Sequence, residues 1–117
     1  MLSRSALRSQ EYEMDIGELE KNAEKAANLL KALSNDKRLL ILCALYKNEK
    51  CVGELEDIVN LSQSALSQHL ARLRRDGLVA TRRDAQTIYY SLEDSTVKAM
   101  LKTLYGIYAP CTDAANG

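Results

Sequence analysis

Residues 62–77 read SQSALSQHLARLRRDG, and the fold turns on how this stretch is interpreted. Ser62 suits the position before a helix, because its hydroxyl oxygen accepts from a free amide of the first turn. Gly77 stands just past the last periodic residue, where a glycine adopts the left-handed conformation that ends a helix. Between them Leu66, Leu70 and Leu73 form one apolar stripe. At about 100° per residue, the opposite face carries Ser64, Gln68, Ala71 and Arg75, flanked by Ser67 and Arg72. That face has no acidic residue. Hydroxyls and an amide reach base edges without bulk, and arginines grip guanine edges or phosphates. Taken alone, the same pattern also describes a plain solvated helix face, so its neighbours decide between the two.

Upstream, residues 52–61 (VGELEDIVNL) predict a shorter helix with Val52, Leu55, Ile58 and Val59 turned inward. Asn60 and Leu61 make a tight connection into the Ser62 cap, which completes a helix-turn-helix. Downstream, two alternating runs at 78–83 and 87–92 are separated by Asp84, Ala85 and Gln86. Ile88, Tyr90 and Leu92 share one face of the second run, as a half-buried strand requires. The predicted fold is mainly α with a β-hairpin wing, a winged helix-turn-helix. The residues expected to meet DNA are Ser62, Gln63, Ser64, Ser67, Gln68, His69, Arg72 and Arg75 on the helix, with Arg82, Arg83 and Gln86 on the wing.

These residues carry a resemblance. QSALSQHLARLRRDGLVATRRDAQTIYYSL (63–92), with KALSNDKRLLILCAL (31–45) and KCVGELEDI (50–58), resembles the DNA-binding core of the ArsR/SmtB repressors. Five successive elements agree, over roughly residues 19 to 108. The resemblance implies a homodimeric winged-helix repressor that leaves double-stranded operator DNA when a chemical inducer binds or reacts.

The 117 residues suit one domain: a tail over 1–15, the winged helix over 16–108, and a second tail over 109–117 that carries Cys111. No apolar run approaches the roughly 20 residues that cross a membrane. The first ten residues hold Arg4, Arg8 and three serines but lack the apolar core of a secretory signal. With three cysteines and no such signal, a reducing cytoplasm is expected. Formal net charge is zero, but its distribution is uneven. Residues 62–90 hold five arginines against two aspartates, whereas residues 1–61 hold nine basic against eleven acidic side chains. Positive charge is thus concentrated on the segment assigned to DNA. The sequence lacks a CxxC pair, a nucleotide-binding glycine loop and a His/Asp constellation, so no enzyme and no cofactor is expected. A winged helix turned to protein–protein contact is the other reading.

Two further segments look like packing seams. Leu19, Ala23, Ala26, Leu30 and Leu33 are spaced four and three apart, and Val97, Leu101, Leu104 and Tyr108 match them near the other end. Met100, Tyr105 and Ile107 widen the second stripe. Together they exceed what so small a winged helix needs for its own core, and a dimer interface is expected; packing within one chain is the alternative. Residues 38–47 (RLLILCALYK) are apolar on nearly all sides, which predicts a central buried helix containing Cys43.

The cysteines bear on what is sensed. Metal-sensing members of the family that this chain resembles use a Cys-x-Cys pair on the third helix, or Asp/His and His/Glu pairs on the last. Here Cys51 is followed two residues later by Gly53, and the last helix offers Asp94 without a histidine, so no metal site is expected. His69, the sole histidine, flanks the inward stripe, where packing or a DNA contact fits it better than a metal. The remaining pair, Cys43 and Cys111, resembles the redox- and persulfide-responsive branch, in which a cysteine near the end of the last helix partners one in the second. There the second thiol usually follows the tyrosine directly; here Ala109 and Pro110 separate Cys111 from Tyr108. The implied function is sensing of reactive sulfur species or oxidants through a dithiol bridge. An arsenite-type site using three thiolates, and a regulator whose cysteines only pack, stay open beside it.

Overall fold

The computed structural model describes residues 15–93 and 95–109. Helix α1 (Ile16–Leu33) starts where the Asp15 carboxylate accepts from the Glu18 amide at 3.2 Å, with Glu18 near its positive end and Lys31 near its negative end. The chain turns at Ser34, whose hydroxyl donates to the Lys31 carbonyl at 2.8 Å. Asn35 then caps α2 (Asp36–Ala44) by accepting from the amides of Lys37 and Arg38, both at 3.0 Å. This helix starts two residues before the predicted 38–47 stretch and ends three before its close. Nor is it buried all round: Ile41 and Leu42 are fully enclosed, but Leu40 and Cys43 are exposed. A helix at the edge of a small core has one face to bury, whatever the composition of the other.

A two-residue strand that periodicity does not reveal, β1 (Lys50–Cys51), precedes α3 (Val52–Val59). Cys51 is both the end of the strand and the cap of the helix, and its amide donates to Glu54 Oε1 at 2.9 Å. In α3, Leu55 and Val59 are buried as expected, while Ile58, expected inward, is 52% exposed. Asn60 ends the helix in the left-handed conformation with φ 54°.

Helix α4 (Gln63–Arg75) has the predicted boundaries within a residue. Ser62 Oγ accepts from the Ala65 amide at 3.1 Å. At the far end Gly77 has φ 79°, its amide donates to the Arg74 carbonyl, and the Leu78 amide donates to the Leu73 carbonyl at 2.9 Å. That pair of bonds is the Schellman ending of a helix.

Strands β2 (Val79–Asp84) and β3 (Thr87–Leu92) form the wing, joined by a turn whose first residue, Ala85, has φ 60°. Because β1 also pairs with β3, the wing is the larger part of a three-stranded antiparallel sheet in the order β1-β3-β2. Lys50 lies opposite Tyr90 and Cys51 opposite Tyr89; on the other side of β3, Arg82 lies opposite Tyr89 and Val79 opposite Leu92. Helix α5 (Ser95–Tyr108) follows.

The core is the common ground of these elements. Leu33, Ile41, Leu42, Leu55, Leu66, Leu70, Leu73, Val97 and Leu101 are buried there, with Tyr90 and Leu92 packed on it from the sheet. The two predicted seams contribute only their ends. Along α1, Leu19 and Leu30 are exposed and Leu33 is buried; along α5, Val97 and Leu101 are buried, Leu104 is half-buried, and Ile107 and Tyr108 are 61% and 80% exposed. Both stripes therefore continue as apolar surface. No helix among the described residues is long and apolar enough to cross a membrane.

Candidate nucleic-acid interface

Burying Leu66, Leu70 and Leu73 forces the other side of α4 into solvent. Gln63, Ser64, Ser67, Gln68, Ala71, Arg74 and Arg75 are all exposed along it. Arg74, absent from the expected set, sits beside Ser67 at the margin of the face; its exposure follows from helical geometry once the inward stripe is known. Ser62 is at the start of this face, but its oxygen already serves the helix cap. The hydroxyl proton is still available to a phosphate.

Two expected contact residues are partly withdrawn. His69 is half-buried, and burial, followed by the nearby Arg38 and Arg72 guanidiniums, holds its pKa below the ordinary histidine value. Arg38 and Asp36 of α2 are among the charges that act on it. Arg72 is half-buried, with Nε 3.6 Å from Asp76 Oδ2, while Arg75 is exposed and its Nε lies 3.9 Å from Asp76 Oδ1. Asp76 thus gathers two arginines at the carboxyl end of α4, where cations also oppose the helix dipole.

Behind the face lies an arginine that the sequence does not mark out. Arg38 is 8% exposed, and its guanidinium donates from Nε to the Ala32 carbonyl at 2.9 Å and from Nη2 to the Lys31 carbonyl at 3.1 Å. It satisfies the open carboxyl end of α1 while standing near Arg72 and Asp76 of the α4 end. Burial and the charge of Arg72 lower its pKa, with Asp76 opposing.

On the wing, Arg83 and Gln86 are exposed at or near the turn. Arg82, expected to meet the DNA backbone, is exposed but has partners within the protomer. Its Nε donates to Glu49 Oε1 at 3.1 Å, its Nη2 donates to Glu49 Oε2, and it lies 4.6 Å from the centre of the Tyr89 ring. The hydrogen bonds hold the Glu49 carboxyl below the usual carboxylate range and the Arg82 guanidinium above its own. Among the described residues, Arg74 and Arg83 are the arginines of this surface that make no ion pair.

Of the cysteines, Cys43 is on the surface of α2 and Cys51 is half-buried at the β1–α3 junction. Partial burial pushes the Cys43 thiol pKa up. Cys111 lies outside the described residues, as do nearly all of the two predicted tails; the last described backbone bond of α5 runs from the Ala109 amide to the Tyr105 carbonyl. Among the described residues no three His, Cys, Asp or Glu side chains converge as a metal-sized group.

Comparison with known proteins agrees with this architecture. Residues 35–81 match the family model described as bacterial regulatory protein, arsR family. Over 95 residues the chain is 58% identical to the transcriptional activator HlyU of Vibrio cholerae, covering 81% of this chain and 88% of that one. The solved structure of the transcriptional repressor BigR from Xylella fastidiosa superposes with a TM-score of 0.77 at 41% identity, covering 82% and 98% of the two chains. A homodimeric winged helix-turn-helix DNA-binding domain from Mycobacterium bovis, 27% identical, superposes with a TM-score of 0.67 over 73% of this chain and 79% of that domain. With its helix-turn-helix, its wing and relatives of this closeness, the chain belongs to the ArsR family of winged helix-turn-helix, DNA-binding transcriptional regulators.

Proposed function

We propose that two copies of this chain bind double-stranded operator DNA as a cytoplasmic repressor, and that bridging of Cys43 to Cys111 by a reactive sulfur species or oxidant releases the DNA. The observation that carries the DNA part is the acid-free outer face of α4, which exposes Ser64, Ser67, Gln68 and Ala71 for base edges and Arg74 and Arg75 for phosphates. Gln63, Ser62 and Arg72 flank that face, and Arg83 and Gln86 carry the wing to the backbone. Assembly as a homodimer is supported by the apolar surface along α1 and α5 and by the homodimeric Mycobacterium bovis neighbour. Two reading helices then fall about one DNA turn, ~34 Å, apart, so a small rotation between protomers weakens the tight complex.

The sensing part rests on the exposure of Cys43 and on the nearness of Cys111 in sequence to the end of α5. One solved relative is described as reduced HlyU, 59% identical, so redox state has been distinguished in that protein. In the proposed reaction, one cysteine thiolate takes the outer sulfur of a low-molecular-weight persulfide and releases that molecule's thiol. The other cysteine thiolate attacks the protein persulfide, expels hydrogen sulfide and leaves a disulfide. With peroxide the intermediate is a sulfenic acid and water is lost.

The test begins with a duplex enriched by in vitro selection with the reduced wild-type protein. Gln68→Ala is expected to change base preference by about 1–3 kcal/mol for each base edge it no longer bonds, and Arg83→Ala to weaken all duplexes alike. Intact mass and peptide mapping after persulfide treatment should find Cys43 joined to Cys111, with release abolished by either Cys→Ser change and retained in Cys51→Ser. Addition of one arsenic atom with dependence on all three thiols would replace this reading with the arsenite one, and release insensitive to every cysteine would leave a cysteine-independent regulator.

A further inference from the structure

The wing carries two neighbouring arginines that the fold treats in opposite ways. Alternation along β2 puts Arg82 on the sheet face away from the core, in one cross-strand row with Tyr89 of β3 and Cys51 of β1. Tyr90, next along β3, packs on the core from the other face. The Arg82 side chain runs along that outer row, over the Tyr89 ring, and ends in a two-pronged contact with Glu49, just before β1. A guanidinium held by a fork of two hydrogen bonds and an aromatic face has a fixed direction as well as a neutralised charge. Arg83 has neither partner and stands closer to the turn.

The far end of this contact matters for geometry. Glu49 lies two residues before Cys51, which ends β1 and caps α3, and α3 leads through Asn60 into the α4 cap. The contact therefore spans from the wing strand β2 to the start of the helix-turn-helix. We infer that Arg82 is a positioning residue, which Glu49 and Tyr89 hold as a strap across the sheet so that the wing keeps its angle to α4, leaving Arg83 and Gln86 to meet the DNA. An exposed ion pair adds little to global stability, so its effect is on orientation. The inference rests on the proposed DNA-binding function.

The experiment measures anisotropy on the selected duplex over a range of KCl, with a thermal melt of each variant. Arg82→Ala and Glu49→Gln should each weaken binding by about three- to fivefold, the fold-change matching the strength of an exposed pair. Neither should alter the salt slope or the melt appreciably. The double variant should bind no more weakly than either single one, and the exchanged pair Glu49→Arg with Arg82→Glu should regain affinity. Arg82→Lys, which keeps the charge and loses the fork, should behave like Arg82→Ala. Arg83→Ala should instead lower the salt slope by roughly 0.9 for each phosphate it no longer neutralises. The inference is overturned if Arg82→Ala lowers the slope as Arg83→Ala does, if Arg82→Lys binds like wild type, or if Glu49→Gln leaves affinity unchanged or raises it. If Gln68→Ala and Arg83→Ala also leave duplex binding untouched, the DNA-contact reading falls and takes the inference with it.

Discussion

Arg38 Nε donates a hydrogen bond to the Ala32 carbonyl oxygen at 2.9 Å, buried between the end of α1 and the start of α2. With the Nη2 bond to Lys31, this closes the carboxyl end of a helix whose last turn is otherwise short of donors. Replacement by alanine strands the buried Ala32 carbonyl, while the Lys31 carbonyl keeps the hydroxyl and amide of Ser34. Arg38→Ala is expected to cost about 2–3 kcal/mol of unfolding free energy in a urea titration, as for hydrogen bonds made by a charged group. Arg38→Lys, with a point donor in place of the fork, should recover only part. A loss within about 0.5 kcal/mol for both would show that the clamp is not stabilising.

Two glycines should respond oppositely to the same change. A Cβ at Gly77 or at Gly53 would meet no atom within 4 Å, so space is not the issue at either. Gly77, however, has φ 79°, and Gly77→Ala should destabilise by about 1 kcal/mol through backbone strain alone. Gly53 lies inside α3, and Gly53→Ala should stabilise by up to about 1 kcal/mol. Thermal melting of the two single variants checks both signs.

Assembly is tested at residues that the protomer leaves exposed. Ile107→Glu on α5 and Leu19→Glu on α1 place charges on the two apolar stripes without disturbing the core. If these stripes form the dimer seam, sedimentation should show a shift from dimer to monomer with helix content unchanged by circular dichroism, because a buried unpaired charge opposes association. A wild-type protein that sediments as a folded monomer at micromolar concentration would refute the seam.

His69 gives the protein a mild sensitivity to acid. Its folded-state pKa is lowered, first by burial and then by the charges of Arg38 and Arg72, so the unfolded chain takes up a proton more readily. Stability should then be unaffected above the unfolded value of about 6.5 and decline as pH falls below it toward the folded value. The carboxylates of Glu49 and Glu54, whose pKa values are also lowered, lose their contributions only at more acidic pH. Melting midpoints between about pH 7 and pH 5 should drop more steeply for the wild type than for His69→Gln, which cannot take up the proton. Identical slopes would mean that His69 is as free in the folded protein as in the unfolded chain.

Ser62, the Leu66–Leu70–Leu73 stripe and Gly77 were enough to place α4, because cap, periodicity and ending are all local and act within a few residues of chain. The alternation through Ile88, Tyr90 and Leu92 likewise marked β3, and burial of one α4 face obliged Ser64, Ser67 and Gln68 to face outward. Other features depended on distant parts of the chain. Strand β1 is two residues long, too short for any period, and exists only because β3 offers it a free edge at Tyr89 and Tyr90. Ile58 and Leu40 are apolar yet exposed because the packing of α3 and α2 turns Leu55, Val59, Ile41 and Leu42 to the core and the other side of each helix away from it. Arg38 reads as one more cation at a helix start until the turn at Ser34 brings the α1 carbonyls against it. Arg82 and Glu49, 33 residues apart, become partners because the register of three strands lines them up. Local propensity decides which residues form an element and which side is apolar. Which carboxylate Arg82 meets is decided by long-range pairing, since Glu49 comes within hydrogen-bond distance only when β1 and β2 are brought to β3.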